Sequence, residues 1–348
     1  MRALVFGAIL AACRVTGTFE CGLDDACRRG DELGRCEVEG YCSFGDVDCA
    51  SGRRYADNAG DGLANECVDE TPLTCRDRWR MGVVRFGPVF DLGGVSSAMD
   101  DREPWMSADG TTLLFSSTRT GSAGADIYLA TRADNTVPFE TPALVPALNS
   151  TSGESGVSFS ADNLTVYLNS NRTGTTGGID VWRSTRTSTA APFAAPDKAT
   201  LMAFNTANDE HDVQLTSDGL SLYIALGRAS MPQRLAMATR PTAADVFTAH
   251  AVISELDTGG DDADPMVGDD ELLMLFTSLR AAPQMGANLW YTARATRTEK
   301  WASPRLVPDI NLDGDEGDAF LLPDTCTLVF ARRPSASPTY DLVYAVIE

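Results

Sequence analysis

From about residue 83 onward, apolar residues come in short unbroken runs bounded by Asp, Gly and Asn, with no stretch at helical spacing past residue 80. The runs are Leu113-Leu114-Phe115, Val166-Tyr167-Leu168, Leu222-Tyr223-Ile224, Met274-Leu275-Phe276 and Leu328-Val329-Phe330. Strict alternation would leave one wet face, whereas three apolar residues in a row predict a strand buried on both faces. A second short strand follows each run, as in Ile127-Tyr128-Leu129 and Leu289-Trp290-Tyr291. Asp109-Gly110 and Asp218-Gly219 carry the tight-hairpin signal, because both residue types tolerate positive φ.

These runs recur in phase. An Asp stands ahead of each, at Asp109, Asp162, Asp218, Asp270 and Asp324, in steps of 53, 56, 52 and 54 residues. Ten residues further on comes an Arg at Arg119, Arg172, Arg228 and Arg280, with Arg333 one residue early in the fifth copy. Upstream aromatics (Phe86, Phe139, Phe193, Phe247, Trp301) keep nearly the same period, and Arg132, Arg186, Arg240 and Arg294 each precede the next aromatic by seven residues. With the aromatic-led segment and the strand before the Asp, each unit of about 54 residues holds four strands. Four short antiparallel strands at fixed period, buried on both faces, predict an all-β, five-bladed β-propeller rather than a solenoid. The repeats begin with the segment Phe86 to Leu92 and end on Asp341 to Val346. The last unit therefore lacks a strand that the first has to spare, and pairing the two would close the ring.

The repeat resembles the TolB-type, WD-repeat-like propellers of bacteria, whose signature reads Ser-x-Asp-Gly, an apolar strand, Ser-x-Arg, then Asp-Ile-Tyr. Here the signature stands as Ser107 to Gly110, Ser117-Thr118-Arg119 and Asp126-Ile127-Tyr128, and it decays in later units, the third having Gln233-Arg234 before its last strand. The resemblance covers roughly residues 83–348 and implies a fold more than a function, because such propellers serve as partner-binding scaffolds and as parts of peptidases. It implies no particular partner, since the extra domain of TolB is replaced here by a cysteine-rich segment.

That segment changes the picture of the N-terminus. Residues 1–12 read as an export signal, with Arg2 ahead of an apolar core too short to span a bilayer. Leu10-Ala11-Ala12-Cys13 resembles the lipobox of bacterial lipoproteins, which implies a lipid on Cys13; ordinary secretion is the competing reading. Lipidation of Cys13 leaves Cys21, Cys27, Cys36, Cys42, Cys49, Cys67, Cys75 and Cys326, an even set for disulfides in an oxidising compartment. Six of them crowd into a Gly-, Asp- and Arg-rich stretch that cannot fold by packing alone, and Cys75 with Cys326 is free to tie its end to the last repeat. Cys36–Cys67 resembles a cysteine-rich module of bacterial lipoproteins that implies no activity. Zinc is not expected, for want of paired Cys-x-x-Cys spacings. The expected organisation is a signal at 1–12, a disulfide-rich module and linker at 13–80, and the propeller at 81–348. The protein is expected in the cell envelope, facing the periplasm or exterior, attached to a membrane through lipid only.

The net charge of −21 argues against nucleic acid and anionic surfaces as partners. Candidate chemistry is sparse. Eight residues before each Asp anchor sits an acid, at Asp101, Glu154, Glu210, Asp262 and Glu316. Two readings stand: a ring of carboxylates at the channel mouth, or cross-strand pairing of each acid with its repeat Arg, which serves architecture. Asp309 to Asp315 resembles the opening of a calcium loop, but Phe320 stands where that loop needs a Glu, and Asn311 matches Asn149 and Asn205 of other repeats. The two histidines, His211 and His250, do not recur, and there is no Gly-x-Ser-x-Gly elbow or phosphate-binding Gly-rich loop. No metal or cofactor is expected. These observations point to a monomeric, non-catalytic propeller that binds a protein or glycan partner at its face or central channel. The alternative is a five-bladed glycoside hydrolase or lyase. It needs two carboxylates in unlike environments, which five near-identical acids with an Arg apiece do not supply.

Overall fold

A computed structural model describes residues 18–22, 26–30, 32–37, 39–49, 51–68, 73–119, 124–228, 231–280, 282 and 286–348. The export signal and Cys13 lie outside the described residues. The chain divides into two compact units, one ending at Asp77 and the other running Arg78–Glu348.

The first unit is small and stapled. Strands β1 (Arg28–Arg29) and β2 (Glu32–Leu33) form a hairpin, and β3 (Arg35–Cys36), β4 (Cys42–Gly45) and β5 (Arg53–Tyr55) form a three-stranded sheet. Its apolar interior is little more than Cys27, Cys42 and Phe44 on one side and Tyr41, Tyr55 and Ala59 on the other. Disulfides Cys21–Cys36, Cys27–Cys42 and Cys49–Cys67 close loops of 15, 15 and 18 residues. Loops of that length each contribute about 3 kcal/mol by restricting the unfolded chain. Cys75 and Cys326 are also disulfide-bonded.

Helix α1 (Cys75–Met81) leads into the second unit, where Trp79 is fully buried, meets Phe86 and Tyr291 edge-on, and donates its Nε1–H to the Thr325 carbonyl at 3.0 Å. After β6 (Phe90–Asp91) the chain winds into five sheets. Blade 1 comprises β7 (Asp101–Met106), β8 (Thr112–Ser117), β9 (Asp126–Thr131) and β10 (Ala143–Leu144). Blade 2 comprises β11 (Glu154–Phe159), β12 (Thr165–Ser170) and β13 (Asp180–Thr185), edged by an Arg183–Asp197 bridge. Blade 3 holds β14 (Asp209–Leu215), β15 (Ser221–Arg228), β16 (Met231–Thr239) and β17 (Ala251–Val252). Blade 4 holds β18 (Asp262–Val267), β19 (Leu273–Ser278), β20 (Asn288–Ala293) and β21 (Arg305–Leu306). Blade 5 holds β22 (Gly314–Leu321), β23 (Thr327–Pro334) and β24 (Asp341–Val346), and its fourth strand is β6, paired antiparallel as Val343–Asp91 and Tyr344–Phe90. The predicted closure of the ring by first and last strands is present.

The apolar runs lie where their pattern requires. Leu113, Phe115, Leu168, Leu222, Ile224, Met274, Phe276, Leu328 and Phe330 are all 0 % exposed, on the second strand of each blade between neighbouring sheets. The aromatic-led strand differs from expectation. It shrinks to two residues or a single bridge, and its aromatic instead lies under the repeat Arg, as a cation–π pair. Arg132–Phe139, Arg186–Phe193, Arg240–Phe247 and Arg294–Trp301 stand at 4.3, 4.5, 4.3 and 4.1 Å. Each guanidinium also donates to a carbonyl of the first hairpin of its blade. The seven-residue spacing is thus a clamp from outer edge to turn, and such a pair contributes roughly 0.5–2 kcal/mol.

Candidate active site at the propeller axis

The acids eight residues before each anchor do not form a channel mouth. Asp101, Glu154, Glu210, Asp262 and Glu316 are each 0 % exposed. Three take the repeat Arg, with Arg119, Arg172 and Arg280 at 2.6, 3.1 and 2.7 Å. Their guanidiniums also donate to Val95, Leu148 and Leu256 carbonyls. The carboxylates of Asp101, Glu154, Glu210 and Glu316 each accept the backbone N–H of the residue four positions back, which fixes the entry to each blade. Two copies differ. Glu316 faces Arg332 at 3.3 Å, because the β22–β23 register sets Glu316 against Arg332 and Asp315 against Arg333. Glu210 is met by His250 Nε2 at 3.3 Å, and the Arg228 side chain lies outside the described residues. Walled off from the channel, these groups are architectural. The channel-mouth ring is corrected accordingly.

The Asp anchors are turn devices. Asp109, Asp162, Asp218, Asp270 and Asp324 each accept a backbone N–H two residues on, at 2.8–3.0 Å. In the calcium-like stretch, Asn311 brackets Leu289, accepting its N–H at 2.8 Å and donating to its carbonyl at 2.9 Å, as Asn149 and Asn205 do for Ile127 and Val181. Asp309 accepts the Phe86 N–H and Asp313 the Ser335 hydroxyl. The oxygens of that stretch are thus taken up in holding the blade.

A second set of acids meets at the axis. The innermost strand of every blade breaks register at the same place, between Arg102 and Trp105, Ser155 and Ser158, His211 and Gln214, Ala263 and Met266, and Gly317 and Phe320. Inside each bulge one residue adopts the left-handed conformation: Glu103, Gly156, Asp212, Asp264 and Asp318, at φ 52, 50, 54, 52 and 53°. A bulge turns its extra residue out of the pleat, and here four of the five are carboxylates. Left-handed backbone at a non-glycine residue costs of order 1–3 kcal/mol and clusters at functional positions. Sequence reasoning missed these residues by two places: all lie six residues before the Asp anchor, where the five copies read Glu, Gly, Asp, Asp, Asp.

The bulges are laced from blade to blade. Glu103 Oε2 accepts the Gly156 N–H at 2.8 Å and the Ser116 hydroxyl at 2.8 Å. Asp212 Oδ2 accepts the Asp264 N–H at 3.3 Å, and Asp264 Oδ2 the Asp318 N–H at 3.2 Å. Asp318 in turn grips Arg102 of the first blade bidentately, with Nε and Nη2 at 2.7 and 3.2 Å. Glu103, Asp212 and Asp264 are half-buried, and Asp318 is buried.

Crowding of like charges with little water moves their titration. Burial, then the charges of Glu103 and Asp318, pushes Asp212 up to about 7. Burial and the Asp212 charge push Asp264 up to about 6. Asp318 also rises to about 6 through burial, with Arg102 opposing the shift. Glu103 moves upward by burial and by the Asp318 charge. His211, with Nδ1 3.7 Å from Asp212 Oδ2, is pushed down by burial. Several neighbouring carboxyls are thus shifted towards neutral pH.

No protein-family profile matches the sequence, and no curated protein matches it either. Solved structures do match in fold. A protein described as a glycoside hydrolase aligns with a TM-score of 0.53 at 11 % identity, over 75 % of this chain and 91 % of that one. The catalytic domain of a Coprinopsis cinerea GH62 alpha-L-arabinofuranosidase aligns at 0.49 and 10 % identity, over 76 % and 97 %. TolB from Acinetobacter baumannii aligns at 0.43 and 13 % identity, over 73 % and 55 %. The likeness establishes a propeller fold and does not single out the TolB type. It also corrects the non-catalytic, partner-binding reading. A glycoside hydrolase stands among the structures of matching fold, and the objection drawn from equivalent, Arg-paired acids does not apply to the axial set.

Proposed function

We propose that the chain is a glycoside hydrolase working at the axis of its propeller. The observation that carries this reading is the axial set itself: Glu103, Asp212, Asp264 and Asp318 converge from four blades, served by one guanidinium, with carboxyls that titrate at different pH. Glycoside hydrolysis needs a carboxylic acid to protonate the leaving oxygen and a carboxylate to act as base or nucleophile. Asp212, titrating highest, is the proton donor. Asp264, whose upward shift the Arg102 charge opposes, supplies the anion. Asp318, gripped by Arg102 and 1 % exposed at its side chain, positions the other two. The fold likeness to a glycoside hydrolase supports the reading. Export and a lipid at Cys13 would hold the site at a membrane facing the periplasm or exterior, where glycans are met; this too is proposed.

The test is release of reducing ends from a panel of soluble polysaccharides and of nitrophenol from aryl glycosides, by the full chain and by Asp212→Asn and Asp264→Asn. Loss of an acid or base in such a pair lowers kcat roughly 100- to 10,000-fold. Activity should rise as pH climbs through about 6, where Asp264 ionises, and fall through about 7, where Asp212 loses its proton. Release that persists unchanged in both variants would overturn the assignment.

A further inference from the structure

Which sugars such a site takes is legible in the one break of the ring, an inference that rests on the hydrolase reading. Blade 2 places Gly156 where the other blades place a carboxylate, so no side chain stands between the axis and the strand behind it. Behind it is Asn169, opposite Ser155 on β12. Its amide fills the gap so closely that a Cβ on Gly156 would lie 2.3 Å from Asn169 Nδ2 and 3.7 Å from the Asp212 Cα. Asn169 is 1 % exposed, and neither Nδ2 nor Oδ1 has a hydrogen-bond partner.

The equivalent positions in the other blades lack this feature. Ser116 donates to Glu103, and Thr277 accepts the Asp318 N–H at 3.2 Å. Ala225 and Ala331, opposite His211 and Gly317, have no polar side-chain atom. A buried amide with neither donor nor acceptor satisfied has lost its water without recovering the bonds. A hydroxyl arriving from the axis cures both faults, since it accepts from the NH₂ and donates to the carbonyl oxygen. Charge narrows the choice further. The charge of Arg102 is offset by Asp318, which takes its Nε and Nη2, and burial pushes the His211 imidazole down. Around the described ring no cation without a carboxylate partner is left to receive a carboxylate or sulfate, while the surrounding carboxylates repel one.

We propose that the axial site takes a neutral, hydroxyl-rich sugar unit, read at one hydroxyl by Asn169, and rejects uronic-acid and sulfated glycans. The lyase alternative falls with this, because elimination chemistry acts beside a uronate that the site has no cation to hold.

The experiment uses the full chain, with starch, galactomannan and arabinan as neutral probes and polygalacturonate and heparin as charged ones. Cleavage is expected within the neutral group alone. Asn169→Leu keeps the shape and removes the amide. On the neutral substrate its KM should rise roughly 10- to 100-fold with a smaller change in kcat, the mark of a ground-state contact. Its Tm should hold or rise, because two unsatisfied polar atoms leave the interior. A structural Asn169 would give the reverse, a lowered Tm with unchanged KM, and that result overturns the assignment. Cleavage of polygalacturonate or heparin overturns the inference and leaves the hydrolase reading standing. Silence on every substrate overturns both.

Discussion

Replacing Arg102 by Ala removes the one guanidinium of the axial ring and leaves Asp318 as a buried, unpaired acid. The pair is bidentate, at 2.7 and 3.2 Å, and the Asp318 side chain is 1 % exposed while that of Arg102 is 40 % exposed. Removing one partner of a fully buried pair costs about 3–5 kcal/mol. Solvent reaches the Arg102 side, which screens the interaction, so about 2–3 kcal/mol is expected at pH 8. The sign with pH follows from linkage. Asp318 already titrates at about 6 against an ordinary 3.8, and loss of its cation raises it further. The folded variant then holds a proton that the unfolded chain has released, so its stability falls as pH rises through that window. At pH 5 the folded protein holds Asp318 largely protonated, and little of the ion pair is there to lose. What remains is the stacking of Arg102 over Tyr340 at 4.4 Å, about 0.5–1 kcal/mol.

Urea and thermal unfolding at pH 5 and pH 8 read this directly, followed by tryptophan fluorescence, to which Trp105 contributes from the same strand, against Phe159 with ring centroids 4.4 Å apart. At pH 8 the variant should lose roughly 4–12 °C in Tm, and at pH 5 markedly less. Equal losses at the two pH values, or a loss under about 1 kcal/mol at pH 8, would refute the claim that Arg102 holds the ring's charge.

Two further outcomes are expected. Asp212→Asn keeps a side chain that tolerates left-handed backbone and still offers an oxygen to the Asp264 N–H, but it cannot ionise. Because the Asp212 carboxyl is pushed up to about 7 by burial first, its ionisation destabilises the wild-type fold between about pH 4 and 7. The variant should therefore gain on the order of 2 kcal/mol at pH 8 relative to pH 4, read by urea titration at the two pH values; a loss at pH 8 contradicts the assignment. Mass spectrometry of the mature N-terminus after expression in a bacterial envelope should find a diacylglyceryl adduct on Cys13, and an unmodified Cys13 ends the lipid reading.

What the sequence disclosed, and what it hid, follows from repetition. Five copies make any shared residue visible. The Asp turns, the buried runs and the fixed spacing of Arg and aromatic were therefore readable, and ring closure followed from counting strands. The same averaging directed attention to the most regular acids, Asp101 and its copies, which are regular because every blade needs its entry fixed. The bulge was invisible because period-two alternation carries no mark of an inserted residue. The signal at six residues before each anchor is weak for the reason that makes it interesting: its copies differ. Shortening of the outer strands escaped notice because Phe139 and its equivalents suit a strand as well as they suit a clamp.

In a closed repeat, residues that every blade needs answer to the fold, and chemistry has to be sought where the copies part company around a shared geometry. The axial position satisfies that condition. Its backbone is common to all five blades, held at nearly the same positive φ, while its side chains run Glu, Gly, Asp, Asp, Asp. If backbone conformation alone governed it, glycine would serve best, since it adopts that conformation without strain. Blade 2 shows that glycine is accepted there. Four blades nonetheless bear the strain of a carboxylate, which laces one blade to the next while crowding like charges at the axis, so local backbone preference does not account for the choice. The one glycine of the ring stands before Asn169, a buried amide with neither atom partnered. Strain, repulsion and an unsatisfied amide on a single ring are together what a binding site looks like before its ligand arrives.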